Sequence, residues 1–220
     1  MKRNLLLILV ALLPVVASAY DAEIDGIYYK FSGNEATVTL GSHEYSGAVV
    51  IPHSVTYMGT VYSVTSIGGH AFSYCSELTS VSISNNVTII GQYAFSGCSG
   101  LTSVKIPDSV TLIGNYAFDG CSSLTSVTLN NNAIVSKSRN YSTSMKSIFG
   151  DQVKTYLIGS AVKSIGNYAF YDCSGLTSIT IPNSLTGIGE SAFEDCNSLT
   201  SITIPAKVKS IGDYAFSGCI

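Results

Sequence analysis

The sequence predicts a repeat solenoid: parallel β-strands stacked coil on coil, short helical turns on the return side, and a β-hairpin cap at the N-terminal end. Three observations carry that reading. Phe72, Phe95 and Phe118 are spaced 23 residues apart, and so are Phe170, Phe193 and Phe216. A cysteine follows each of them by three residues: Cys75, Cys98, Cys121, Cys173, Cys196 and Cys219. Gly68, Gly91, Gly114, Gly166, Gly189 and Gly212 keep the same phase, and Leu78, Leu101, Leu124, Leu176 and Leu199 close the units. A fixed period of this length marks a chain whose units cannot bury their apolar faces alone but can do so when stacked.

The elements follow in order. Residues 1–19 read as a secretory signal: Lys2 and Arg3, an apolar run from Leu5 to Leu13, and a small-residue cleavage site at Ala17-Ser18-Ala19. The run, broken by Pro14, is shorter than the roughly 20 residues that a membrane span needs. No cysteine follows it, so a lipid-anchored start is not expected. Residues 20–62 read as the cap. "DGIYYKFSGNEATVTLG" gives a hairpin around Ser32-Gly33-Asn34-Glu35, and a second hairpin is centred on Met58-Gly59. Residues 63–220 read as the solenoid.

Within a coil each residue class has a task. Leu101, Val104 and Ile106 alternate as a strand with one buried face requires. Stacked coils would pair these strands in parallel, about 4.8 Å apart. Pro107, Pro182 and Pro205 end the strand because proline lacks the ladder donor. Ile113 starts the return, and Gly114 allows a turn that a side chain would obstruct. Ala117, Phe118 and Cys121 form one inward face of a short helical turn.

One unit is irregular. In "VKTYLIGSAVKSIG", Val153 lies thirteen residues before Gly166, as Leu176 lies before Gly189. Val153 therefore holds the Leu position, Tyr156 and Ile158 align with Ile179 and Ile181, and Phe149 is the displaced phenylalanine. The Leu-phase spacings become 23, 23, 29, 23 and 23, with the departure at residues 124–152. The repeat text stops two residues short of the next Leu position, so the C-terminal end is expected to be incomplete.

The strand phrase Leu-x-x-Val/Ile-x-Ile-Pro and the return phrase Ile-Gly-x-Tyr-Ala-Phe-x-x-Cys together resemble the BspA-type leucine-rich repeat family over residues 47–220. The resemblance implies a secreted or surface protein of adhesive, non-enzymatic character. It supplies no catalytic residues, and none are expected here.

Composition narrows the partners. Charged residues make up only 11% of the chain, whereas it holds 34 serines and 18 threonines, so hydroxyls must cover much of the water-facing surface. After signal removal, nine basic residues face fourteen acidic ones, a charge of −5 that argues against nucleic acid. The cysteines share one inward position, as a small apolar residue would, and are expected to be mostly reduced. Their 23-residue spacing does not suit zinc, and no metal or cofactor is expected. His43, His53 and His70 read as structural, with His70 at the position of Tyr93 and Tyr116. Glu194 and Asp195 read as a solvated edge rather than an acid/base pair.

Two places remain for a ligand. The outward strand positions form a hydroxyl-rich face that includes Lys105, Thr128, Thr180 and Thr203. The stretch from Asn130 to Gln152 is the least repeat-like. Between Ala133 and Ile165 five basic residues face Asp151 alone, giving +4 on an otherwise acidic rod. Lys137, Arg139 and Lys146, with Tyr141 as an aromatic anchor, are the candidates there, and an anionic protein or glycan is the expected partner. The alternative is a structural component of the envelope or matrix that associates with itself.

Overall fold

The structure, a computed structural model, describes residues 19–219. Apart from residue 19, the expected signal segment lies outside the described residues. The N-terminal part holds β1 (Ala22–Ile24), β2 (Ile27–Ser32), β3 (Glu35–Val38), β4 (Gly47–Ile51), β5 (Ser54–Tyr57) and β6 (Thr60–Ile67). Both expected hairpins form: β2 pairs antiparallel with β3, and β5 with β6. The β5–β6 turn places Met58 and Gly59 in the left-handed region, at φ 48° and 80°, which suits the twist of a two-residue hairpin. β4 departs from the hairpins and pairs in parallel with the first regular repeat strand, so "VVIP" already belongs to the stack.

The repeats then alternate a longer strand with a two-residue one. They are β7 (Leu78–Ile83) and β8 (Ile89–Ile90), then β9 (Ser103–Ile106) and β10 (Leu112–Ile113), then β11 (Ser126–Leu129). The irregular unit carries α1 (Asn132–Val135) and α2 (Met145–Phe149). β12 (Thr155–Ile158) and β13 (Ser164–Ile165), β14 (Ser178–Thr180) and β15 (Gly187–Ile188), and finally β16 (Ser210–Ile211) complete the described chain.

Register bears out the alignment of the irregular unit. Val104, Val127, Tyr156 and Ile179 lie side by side across β9, β11, β12 and β14. The ladder is not continuous, however. β4 and β7 form one sheet, β9–β11–β12–β14 another, and residues 201–204 add no strand. The surface opens at each break. A cavity of about 250 Å³ lies between Val81, Ile83, Lys105 and Pro107, and one of about 380 Å³ between Thr180, Ile181, Ile202 and Thr203. A second parallel ladder, which the sequence reading does not anticipate, joins the end of β6 to the two-residue strands, as β6–β8–β10, and continues as β13–β15–β16.

The return side corrects the expected helical turn. Its residues form single hydrogen-bonded turns, such as Ser96 N–H to the Tyr93 carbonyl at 3.1 Å. A helix cannot form because two residues per coil are left-handed. Two positions before each repeat phenylalanine lie His70, Tyr93, Tyr116, Tyr168, Ser191 and Tyr214; two positions after lie Tyr74, Gly97, Gly120, Asp172, Asp195 and Gly218. Every one has positive φ, which ends a right-handed helix within a turn. Gly114 is a place where a side chain would obstruct, as expected, and the obstruction comes from the neighbouring coil. It is not left-handed; a Cβ there would collide with the backbone of Gln92 on the preceding coil. Gly91, Gly189 and Gly212 meet their neighbours in the same way.

The core is a row of aromatic rings. Phe72, Phe95, Phe118 and Phe149 are fully buried and stack at 4.8, 4.9 and 5.1 Å, and Phe170, Phe193 and Phe216 at 5.2 and 5.3 Å. Burying each ring contributes about 1.5–3 kcal/mol relative to leaving it in water. The cysteines run alongside. Cys98, Cys121, Cys196 and Cys219 each donate Sγ–H to the phenylalanine carbonyl 26 residues earlier, at 3.0–3.2 Å. All six thiols are free. Burial pushes the Cys173 thiol up to about 12, against the opposing pull of the Lys146 backbone N–H.

Candidate functional site

The irregular unit is built by two different registers with its neighbours. In a regular contact, Tyr93 and Phe95 donate their N–H groups to Asn115 and Ala117, alternate residues of the next coil. Facing the following coil, the irregular unit uses Arg139 and Met145 as donors to Asn167 and Ala169. Facing the preceding coil, it uses Ser147 and Ile148 as acceptors from Tyr116 and Phe118. The donors are spread six residues apart and the acceptors are adjacent, so the excursion expands on one side and loses a residue on the other.

That expansion explains Tyr156. Its ring sits edge-on between Phe149 and Phe170, at 6.1 and 5.0 Å, where the flat stack is interrupted. The ring is buried and its hydroxyl has no partner; burial drives its phenol well above the usual range. Arg139 lies nearby and points inward. Its guanidinium donates to the carbonyls of Thr143 at 3.0 Å and Ile134 at 3.2 Å, and its buried Nε is unpaired. Burial lowers its pKa, partly opposed by Tyr156.

The four residues expected to bind at this unit therefore do not gather into one basic patch. Arg139 braces the excursion from within. Lys146 is neutralised by Asp172 at 2.9 Å and Asp151 at 3.8 Å. Asp151 also accepts from Ser174 at 2.7 Å and from the Gly175 N–H at 3.0 Å; these and Lys146 outweigh burial and hold its carboxyl below the usual range. Lys137 and Tyr141 remain exposed, Tyr141 at 76%. Tyr141 and Lys146 border a cavity of about 430 Å³ together with Tyr116, Asp119, Asp151 and Asp172. The sequence reading missed Asp119 and Asp172 because they belong to regular coils on either side.

The sheet face brings three of its four candidates into line. Lys105, Thr128 and Thr180 share one row across β9, β11 and β14, with Leu157 of β12 between the latter two. Lys105 and Thr180 are exposed and Thr128 is half-buried. Thr203 lies beyond the last paired strand, on the cavity it shares with Thr180. The neighbouring row is Ser103, Ser126, Thr155 and Ser178. A larger cavity, about 800 Å³, lies at the N-terminal hairpins between Tyr29, His43, Glu44 and Val50. His43 is held there by the Tyr28 hydroxyl, while His70 stacks on Tyr93 at 5.1 Å. Among the described residues no cluster of His, Cys, Asp or Glu is placed to hold a metal, and no helix is long and apolar enough to cross a membrane.

The family model of the BspA type leucine-rich repeat region matches six copies, over residues 53–156 and 149–220. The chain belongs to this family. Solved structures of leucine-rich repeat proteins resemble this BspA-type chain along most of its length. A leucine-rich cell surface protein of Faecalibacterium prausnitzii is 34% identical with a TM-score of 0.56, over 89% of this chain and 51% of its own. The chain thus spans about half the length of that protein. A leucine-rich repeat protein of T. pallidum is 28% identical with a TM-score of 0.60, over 88% of this chain and 86% of its own. One from Eubacterium ventriosum, at 23% identity and a TM-score of 0.59, covers 91% of this chain and 54% of its own and shares the fold. No curated protein matches. In this BspA-type chain the regular coils keep a 23-residue spacing, and the unit from Leu124 to Val153 departs from it.

Proposed function

We propose that the chain is a non-enzymatic interaction scaffold displayed outside the cell, exported by the segment at residues 1–19 and closed at its N-terminal end by residues 20–62. Family membership and the surface location of the F. prausnitzii relative support this reading. One observation carries the choice of surface. The outward residues of β9, β11, β12 and β14 form two straight rows of small, mostly hydroxyl side chains, with Lys105 as their one charge. Such a face holds its shape before a partner arrives. Serine and threonine lose little rotamer freedom on contact and desolvate no charge, so more of the contact energy remains for affinity. The partner is a protein or glycan that lies flat along the rows. At the excursion Lys146 is paired and Arg139 faces inward, which leaves Lys137 as the one exposed cation among the candidates there.

The test is capture on immobilised arrays of matrix proteins and glycans, comparing the native chain with Ser103→Glu and Ser178→Glu together. The double variant should melt within about 0.5 kcal/mol of native, as exposed sites do, and should lose the captured partner. Retention at full strength removes the sheet rows as the surface. Growth of light-scattering mass with concentration, without any ligand, would replace this reading with self-association.

A further inference from the structure

A row of stacked rings runs along the return side, outside the core. His70 stacks on Tyr93 at 5.1 Å and 20°, and Tyr93 on Tyr116 at 5.3 Å and 12°. Each ring occupies the left-handed position of its coil. The row stops at Tyr116, and the backbone shows why. In regular coils a residue stands between the two acceptors, as Tyr116 stands between Asn115 and Ala117. In the irregular unit the acceptors Ser147 and Ile148 are consecutive, so the position that would carry the next ring is deleted from the chain.

The cavity of about 430 Å³ lies at that place, within the size range of small-molecule sites. Tyr116 forms one wall, with one face covered by Tyr93 and 41% of its surface exposed. Tyr141 of the excursion, 76% exposed, supplies a second ring. Polar groups lie between them. Asp119 has no side-chain partner among the described residues, Asp172 holds Lys146 through Oδ2, and Ser147 lines the floor.

We propose that this cavity is a carbohydrate-binding subsite for an uncharged hexopyranose unit of a glycan. A pyranose ring has an apolar C–H face to lie on Tyr116 in the plane where the next tyrosine would stack. Its hydroxyls donate to Asp119 and Asp172 and accept from Lys146. A phenylalanine ring would fit the same plane but bring no donors, leaving the Asp119 carboxylate desolvated and unpaired. Three carboxylates against one ammonium give the cavity a net negative lining, which repels sulfated and uronic sugars. The site is separate from the sheet rows, and its test does not depend on them.

The experiment presents the whole chain to an array of neutral gluco-, manno- and galacto-oligosaccharides beside their sulfated and uronic counterparts. Hits are then titrated by calorimetry and by saturation transfer from tyrosine ring protons. Neutral oligosaccharides should be retained, with transfer reaching the C–H face of one residue. Tyr141→Ala and Asp119→Asn, both at exposed positions, should keep the native circular dichroism melt and weaken binding by roughly tenfold or more. Lys207→Glu, exposed and outside both the cavity and the sheet rows, should leave sugar binding unchanged. Three results would overturn the proposal: preference for sulfated ligands, full affinity in both cavity variants, or capture of aromatic peptides with no retained sugar.

Discussion

A regular coil and the irregular unit solve the same problem by different paths. The regular coil closes in 23 residues and offers alternate backbone groups to both neighbours. The irregular unit takes 29 from Leu124 to Val153, spreads its donors and compresses its acceptors, and still delivers a phenylalanine into the stack at 5.1 Å. What the solenoid demands of a coil is therefore its two faces, not its route. A side chain for the core and a few correctly spaced carbonyls and amides suffice, and extra chain is tolerated wherever it finds its own hydrogen bonds.

The sharpest way to break this comparison is to empty the core on both sides of it. Phe170→Ala should cost about 3–5 kcal/mol, the range for removing a large buried aromatic. Phe149→Ala should cost a similar amount if the irregular unit is a full coil. A Phe149→Ala melt matching native would show that the excursion contributes no core. Smaller effects come from the close approach between coils. Gly114→Ala should destabilise by about 1–3 kcal/mol through overpacking against Gln92. Ser136→Ala should change little, because the irregular unit already carries a Cβ at the corresponding position. Equal losses in urea titrations would mean that the two coils stack alike.

How much of this was legible is clear from particular residues. The 23-residue phase placed the buried phenylalanines and cysteines of the regular coils, and Val153 located Tyr156 and Ile158 in the ladder, because burial in a stack repeats with the text. The left-handed tyrosines were not legible, since tyrosine does not announce positive φ as glycine does; only the structure shows that the turn recurs through them. The fate of Arg139 was hidden for another reason. Its charge read as surface, but the excursion curls around it and presents two carbonyls. The 430 Å³ cavity could not be read locally either, because its walls come from coils some fifty residues apart in sequence.

The interior of the excursion separates a bracing charge from a binding one. Arg139→Met should lose about 1–3 kcal/mol by leaving the Ile134 and Thr143 carbonyls unpaired. Tyr156→Phe removes a buried hydroxyl with no partner and should be neutral or raise stability by about 1 kcal/mol. Thermal melts of the two should therefore move in opposite directions. A loss in Tyr156→Phe would show that the hydroxyl is used. The smallest effect concerns the thiols. With burial holding Cys173 near 12, alkylation of the native protein at pH 8 should be slow and become complete only on unfolding. Intact mass under non-reducing conditions should show no loss of hydrogens. A Cys75–Cys98 or Cys173–Cys196 linkage would replace the row of free thiols with covalent staples.

The uneven coil has a mechanical consequence. If the chain is drawn out from one end, coils peel in sequence and each regular one releases 23 residues, about 80 Å of extended length. The irregular unit releases 29, about 100 Å. A force-extension trace of this rod would carry one long step among equal ones, a built-in mark of how far the unravelling has gone.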